Sequence, residues 1–125
     1  MIVGLGTDIV AIARMQDAYA RHGERLALRL LAPAELAFWR QARDPARVLA
    51  KRFAVKEATS KAWGLGISQG LGWRDIALDH DAQGRPVLQF SSLWAARLQE
   101  RGWQTWVSLS DEREYVVATV LFDAP

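Results

Sequence analysis

The chain has 125 residues, half of them hydrophobic, enough for one compact core and too few for two ordinary domains, so a single domain over residues 1–125 is expected. It has no cysteine, its two histidines stand far apart, and no run of about 18 apolar residues or charged leader occurs; disulfides, thiolate catalysis, zinc–thiolate sites and membrane spans are excluded, and a cytoplasmic protein is expected. The net charge of +2 hides an uneven spread, with 11 basic and 6 acidic groups in residues 1–63 against 5 and 8 in residues 64–125.

Residues 2–9, IVGLGTDI, read as a strand with Val3, Leu5, Thr7 and Ile9 on one face and Ile2, Gly4, Gly6 and Asp8 on the other. Two glycines leave the second face bare, which points to close approach by another backbone or by a ligand, with Asp8 at its end. A bulged strand whose Asp8 caps the following helix is the alternative. The GLG sequence lacks the third glycine and the later acidic residue of a dinucleotide fingerprint.

Residues 11–31 read as a helix with a candidate break at Gly23 and with Ile12, Met15, Tyr19, Leu26 and Leu30 facing inward. Arg14, Arg21, Arg25 and Arg29 form a basic stripe outside, either a solvated face or a docking surface for an acidic protein. Thirteen of the 16 basic residues in the chain are arginine, which favours forked contacts to phosphate or carboxylate. Nucleic acid stays open as the anionic partner, although the net charge is small for an affinity that rests on the phosphate backbone. Pro33 opens a second helix, PAELAFWRQA, and Asp44 with Pro45 supplies the start of a third.

That third helix carries KRFAVKEATSKAWGLG, residues 51–66. Ala50, Ala54, Ala58 and Ala62 recur every fourth residue and make a row of small side chains that another backbone can approach. Arg52, Lys56, Glu57 and Lys61 lie on its other sides, and Glu57 precedes Lys61 by one turn, the orientation of a helical ion pair. The plain expectation is an amphipathic helix with a solvated charged face, ended by Gly64 and Gly66.

A connector, ISQGLGW, leads to a short strand around residues 75–79, a hairpin turn in HDAQGRP and a return strand over residues 87–91. His80 reads as a turn residue; Arg85, between Gly84 and Pro86, reads either as part of a plain turn or as a cation held for an anionic or planar ligand. Residues 91–101 form a short helix with Leu93, Trp94 and Leu98, and residues 103–110 and 115–122 alternate as two strands whose aromatics are assigned to the core. The fold class is therefore α+β, helices against an antiparallel sheet of at least three strands. Asp8 and Glu57 are candidates for a paired hard-metal site, with Lys61 beside them to neutralise phosphate, although nothing local forces the two acids together.

GLGTDIV followed about 50 residues later by KRFAVKEATSKAWGLGI resembles the holo-acyl carrier protein synthases, the small 4′-phosphopantetheinyl transferases, and the resemblance extends over essentially the whole chain. It implies a magnesium-dependent enzyme, with Asp8 and Glu57 as metal ligands and Asp8, Glu57 and Lys61 as catalytic residues. Arg52, Lys61, Gly84, Arg85 and Pro86 match positions for coenzyme A, and Arg14 and Arg21, with Arg25 less securely aligned, match positions that dock the acidic acyl carrier protein. The resemblance further implies a homotrimer with sites at subunit junctions and a role in fatty acid biosynthesis, with neither nucleic acid nor membrane as partner. Some relatives have a histidine in the last hairpin where this chain has Asp111, so no contact is transferred there. Asp8 is the first choice of general base and Glu57 the second.

Overall fold

A computed structural model describes residues 1–67 and 69–125; position 68 of the expected connector lies outside the described residues. Strand β1, Ile2–Ala11, runs directly into helix α1, Ile12–His22. Gly23, at a φ of +59° that favours glycine, breaks the expected long helix there, and α2 follows as Glu24–Leu30. Helix α3 is Pro33–Arg40 and α4 is Pro45–Trp63, the latter capped by Asp44, whose carboxylate accepts from the Arg47 amide at 3.1 Å, and ended by Gly64. A 3-10 turn, Trp73–Asp75, precedes the hairpin of β2, Ile76–His80, and β3, Pro86–Phe90. Helix α5, Ser92–Arg101, and strands β4, Gln104–Asp111, and β5, Tyr115–Asp123, complete the chain.

The main sheet is antiparallel in the order β1-β5-β4, and β2-β3 forms a separate two-stranded sheet. Helix α4 lies across the main sheet, and the reason is written in two rows of small residues. A Cβ added to Gly6 would stand 2.0 Å from the Ala58 carbonyl oxygen, and one added to Gly4 would stand 2.2 Å from that of Ala62. The glycine face of β1 is thus bare because the backbone of α4 occupies the space, and Ala50, Ala54 and Ala58 are fully buried there. Val116, Ala118, Val120 and Phe122 of β5 supply the rest of that face. Each large apolar side chain so buried contributes about 1.5–3 kcal/mol against the entropy of ordering the chain.

Two expectations are corrected. The charged side of α4 is not uniformly solvated: Arg52 is 4% and Lys56 0% exposed, held by Glu35 of α3. The aromatics of the last two strands are not all core, since Trp106 and Tyr115 stand on the outer face of the sheet with Leu5 and Ile9. On α5, Trp94 and Leu98 are buried and Leu93 is exposed. Among the described residues, no helix is long and apolar enough to cross a membrane.

Candidate active site

Asp8 is reached by the alternation of β1. Because Gly4 and Gly6 point at α4, so does Asp8 two residues on, and its side chain meets α4 one turn from where Ala58 touches Gly6. Lys61 donates from Nζ to Oδ1 of Asp8 at 3.1 Å and to the Thr7 carbonyl at 2.9 Å. This replaces both the helix-capping role considered for Asp8 and the expected Glu57–Lys61 helical pair: α1 is entered through Ala11 without a side-chain cap, and the lysine reaches across to the strand.

Glu57 belongs to the same constellation. Burial first, and then the neighbouring Asp8 carboxylate, push its carboxyl above the ordinary carboxylate range, against the opposing pull of Lys61. Two carboxylates that repel each other, with one ammonium bonded to Asp8, leave room for a further positive charge. The donor set consists of oxygen atoms only, which suits a hard cation, and magnesium is commonly held by one or two carboxylates together with substrate phosphates. Asp8 and Glu57 are the residues that would hold it. Among the described residues no group of three or more histidine, cysteine or acidic side chains that could hold a metal ion occurs.

Beside the pair lies a groove of about 400 Å³. Arg14, Arg21 and Arg29 line it, over an apolar floor that includes Leu26, Leu30, Phe53 and Trp73. Two of its lining residues lead back to the acids: Val10 follows Asp8 by two along the same face of β1, and Phe53 precedes Glu57 by one turn of α4. The arginine stripe therefore borders a concave surface next to the acidic pair. Arg25 is exposed but does not line this groove, so the structure brings together Arg14, Arg21 and Arg29 and leaves Arg25 apart.

Arg52 lies instead against α3 and the strands of the β2–β3 hairpin. The Arg52 guanidinium lies 4.7 Å from the centre of the Phe38 ring, and its Nε is 3.0 Å from Oε2 of Glu35. That N–H is not aimed along the short contact and has no hydrogen-bond partner among the described residues, although the charges pair. Arg52 also lines a small cavity of about 100 Å³ with Asp79, His80 and Gln89 of the hairpin. In the turn, Asp81 accepts from the amides of Gln83 and Arg85, both at 2.9 Å, and from Nε of Arg85 at 3.1 Å. Those bonds, led by the Arg85 amide, hold the Asp81 carboxyl below its ordinary range and fix Gly84, Arg85 and Pro86 in a defined loop. His80 is exposed at the end of β2, and Asp111 pairs with Arg47 at 2.9 Å and Lys51 at 3.5 Å.

Sequence reasoning missed Glu35, Phe53 and Trp73. Phe53 carried a signal, since it stands one turn before Glu57 and shares its side of the helix. Glu35 sits third from the start of a helix opened by proline, and its Oε1 accepts from the Ala32 amide at 2.8 Å, so a capping role was readable although its burial was not.

Residues 4–120 match the family described as the 4′-phosphopantetheinyl transferase superfamily. A curated relative from Halorhodospira halophila, a holo-[acyl-carrier-protein] synthase, is 51% identical over 122 residues, covering 97% of each chain. The crystal structure of a holo-[acyl-carrier-protein] synthase from Neisseria meningitidis superposes with a TM-score of 0.92 at 40% identity, covering 98% of this chain and 99% of that one. A Helicobacter pylori synthase solved in complex with coenzyme A gives a TM-score of 0.80 at 28% identity, over 95% of this chain and 99% of that one.

Proposed function

The chain belongs to the 4′-phosphopantetheinyl transferase superfamily, as a holo-[acyl-carrier-protein] synthase, and from that premise we propose that it moves the 4′-phosphopantetheine arm of coenzyme A to a serine hydroxyl of an apo acyl carrier protein, with magnesium, in support of fatty acid biosynthesis. The observation that carries this reading is the meeting of Asp8, Glu57 and Lys61, with Val10 two residues from Asp8 and Phe53 one helical turn from Glu57 lining a groove that bears three arginines. A transfer between phosphate and hydroxyl needs positioning and charge neutralisation more than a protein nucleophile, and the chain offers neither cysteine nor a paired histidine.

In the proposed step the serine oxygen bonds to the β-phosphorus of coenzyme A, the bond from that phosphorus to the bridging oxygen breaks, and 3′,5′-ADP leaves. Magnesium, when held by Asp8 and Glu57, supplies neutralisation of the pyrophosphate charge. Lys61, fixed by the Thr7 carbonyl and Asp8, places an ammonium beside the same charge. The serine proton goes to Asp8. Glu57 is the second candidate for that role, because burial and its neighbour raise its affinity for a proton.

Coenzyme A is assigned to Lys61, Arg52 and the Gly84–Arg85–Pro86 turn, supported by the rigid turn and by the Arg52 charge at the base of the same hairpin. The acidic carrier protein is assigned to the groove, where Arg14 and Arg21 face it and the apolar floor receives its nonpolar side chains. Incubating apo carrier protein with the chain, coenzyme A and magnesium should add one phosphopantetheine to the carrier by intact mass, with release of 3′,5′-ADP. Free phosphopantetheine formed without carrier protein would instead identify a hydrolase of nucleotides.

A further inference from the structure

Lys56 is completely buried, and all three of its N–H donors are used: Nζ donates to the Leu30 carbonyl at 2.7 Å, to Oε1 of Glu35 at 2.6 Å and to the Trp73 carbonyl at 3.0 Å. Two of these acceptors are backbone groups of residues that form the floor of the arginine groove. Leu30 ends α2, where carbonyls lack intrahelical partners, and Trp73 opens the 3-10 turn and stacks on Phe53 with ring centres 5.1 Å apart. Glu35 completes the node, accepting also from the amides of Ala32 at 2.8 Å and Leu78 at 3.1 Å and pairing with Arg52. The node therefore ties α2, α3, the 3-10 turn and β2 to one point on α4, and the next residue on α4 is Glu57.

We infer that Lys56, held by Glu35, is a positioning residue for the protein substrate: it sets the groove floor, Leu30 and Trp73, at a fixed place relative to the Asp8–Glu57 pair, so that a carrier seated in the groove presents its serine in register. This inference rests on the reading that the carrier protein occupies the groove. A buried ammonium suits the task better than apolar packing, because three directed charge-assisted bonds fix three elements at once, whereas apolar contacts tolerate sliding. Lys56 bonds to neither the acids nor the proposed coenzyme A contacts; Arg52 joins the node only through Glu35, so a change at Lys56 that leaves the Glu35–Arg52 pair in place should fall on one substrate.

The test compares steady-state kinetics of Lys56→Met and of Lys56→Gln against the parent and against Arg14→Glu with Arg21→Glu, each checked for folding by circular dichroism. Lys56→Gln keeps an amide that can donate to one of the same acceptors, so it keeps the test open where Lys56→Met alone fails to fold, and both variants leave the buried Arg52 paired with Glu35. For a folded Lys56 variant, kcat/KM for the carrier should fall about 10- to 100-fold, the scale of a displacement near 1 Å far from the chemistry, while KM for coenzyme A stays within about twofold. An unchanged carrier dependence in a folded Lys56 variant, beside a raised carrier KM in the arginine variant, overturns the role of Lys56 and leaves the groove reading standing. An unchanged carrier KM in the arginine variant removes the groove reading, and the role of Lys56 with it. Equal losses for carrier and coenzyme A also overturn the inference, because they mark a general structural role.

Discussion

At the scale of single residues, Glu57 offers the sharpest handle on the site. Its proton is bound more tightly in the folded chain than in the unfolded one, through burial and the Asp8 charge. Its contribution to stability is therefore present below the ordinary carboxylate range and is lost as pH rises through the raised folded value. Glu57→Gln stays neutral, so its Tm should gain on that of the parent as metal-free buffer is raised from about pH 4, where an unfolded glutamate begins to ionise. Millimolar magnesium should then narrow the gap by stabilising the parent and leaving the variant nearly unmoved. Thermal unfolding over a pH series with and without magnesium checks both expectations, and a Tm difference independent of pH would mean that neither burial nor Asp8 raises the Glu57 carboxyl. Lys61 should not mask the effect, because its short contacts are to Asp8 and Thr7.

At the scale of elements, the contact between β1 and α4 sets the distance from Asp8 to Glu57 and Lys61. Gly6→Ala drives a methyl into the Ala58 carbonyl, a backbone atom that cannot turn aside. The variant should lose about 1–3 kcal/mol or more by urea unfolding, the cost of overpacking, and should lose transfer activity as the strand moves off the helix. Unaltered stability would mean that the two elements are not locked together there. This contact was legible in the sequence, because a glycine face ending in Asp8 and an alanine row beside Glu57 are complementary surfaces, each unusual alone. The break at Gly23 and the cap at Asp44 were legible for the same local reasons. The burial of Arg52 and Lys56 was not, since their shared partner Glu35 comes from another helix and helical spacing says nothing about a neighbour so placed. Nor does strand alternation say which of two apolar faces turns inward, which is why Trp106 and Tyr115 were assigned to the core and stand outside it.

At the scale of the whole molecule, that outer face is the feature a lone chain leaves unexplained. Leu5 is 64%, Ile9 61% and Trp106 49% exposed, on a sheet whose helices cover only its other side. A contiguous apolar face of this kind marks an association surface. We assign it to the contact between copies of a homotrimer, which would deepen the open site at Asp8 and Glu57 and enlarge the core of a small domain. Leu5→Asp with Ile9→Asp places like charges on that face and should convert a trimer to monomers in sedimentation velocity, with loss of transfer at assay concentrations. A parent that is fully active while sedimenting as a monomer would rule out the shared site.

Asp8 and Glu57, brought together by β1 and α4, are the pair proposed to support magnesium-dependent transfer. The most direct measurement is the rate at which apo carrier protein gains one phosphopantetheine by intact mass, at saturating coenzyme A and magnesium, for Asp8→Ala and Glu57→Ala beside the parent. Each variant should keep the parent's circular dichroism and lose about 100- to 1,000-fold in rate, the scale of removing an electrostatic stabiliser of the transition state. A folded variant of either kind that modifies the carrier at close to the parent's rate would remove that acid from the site.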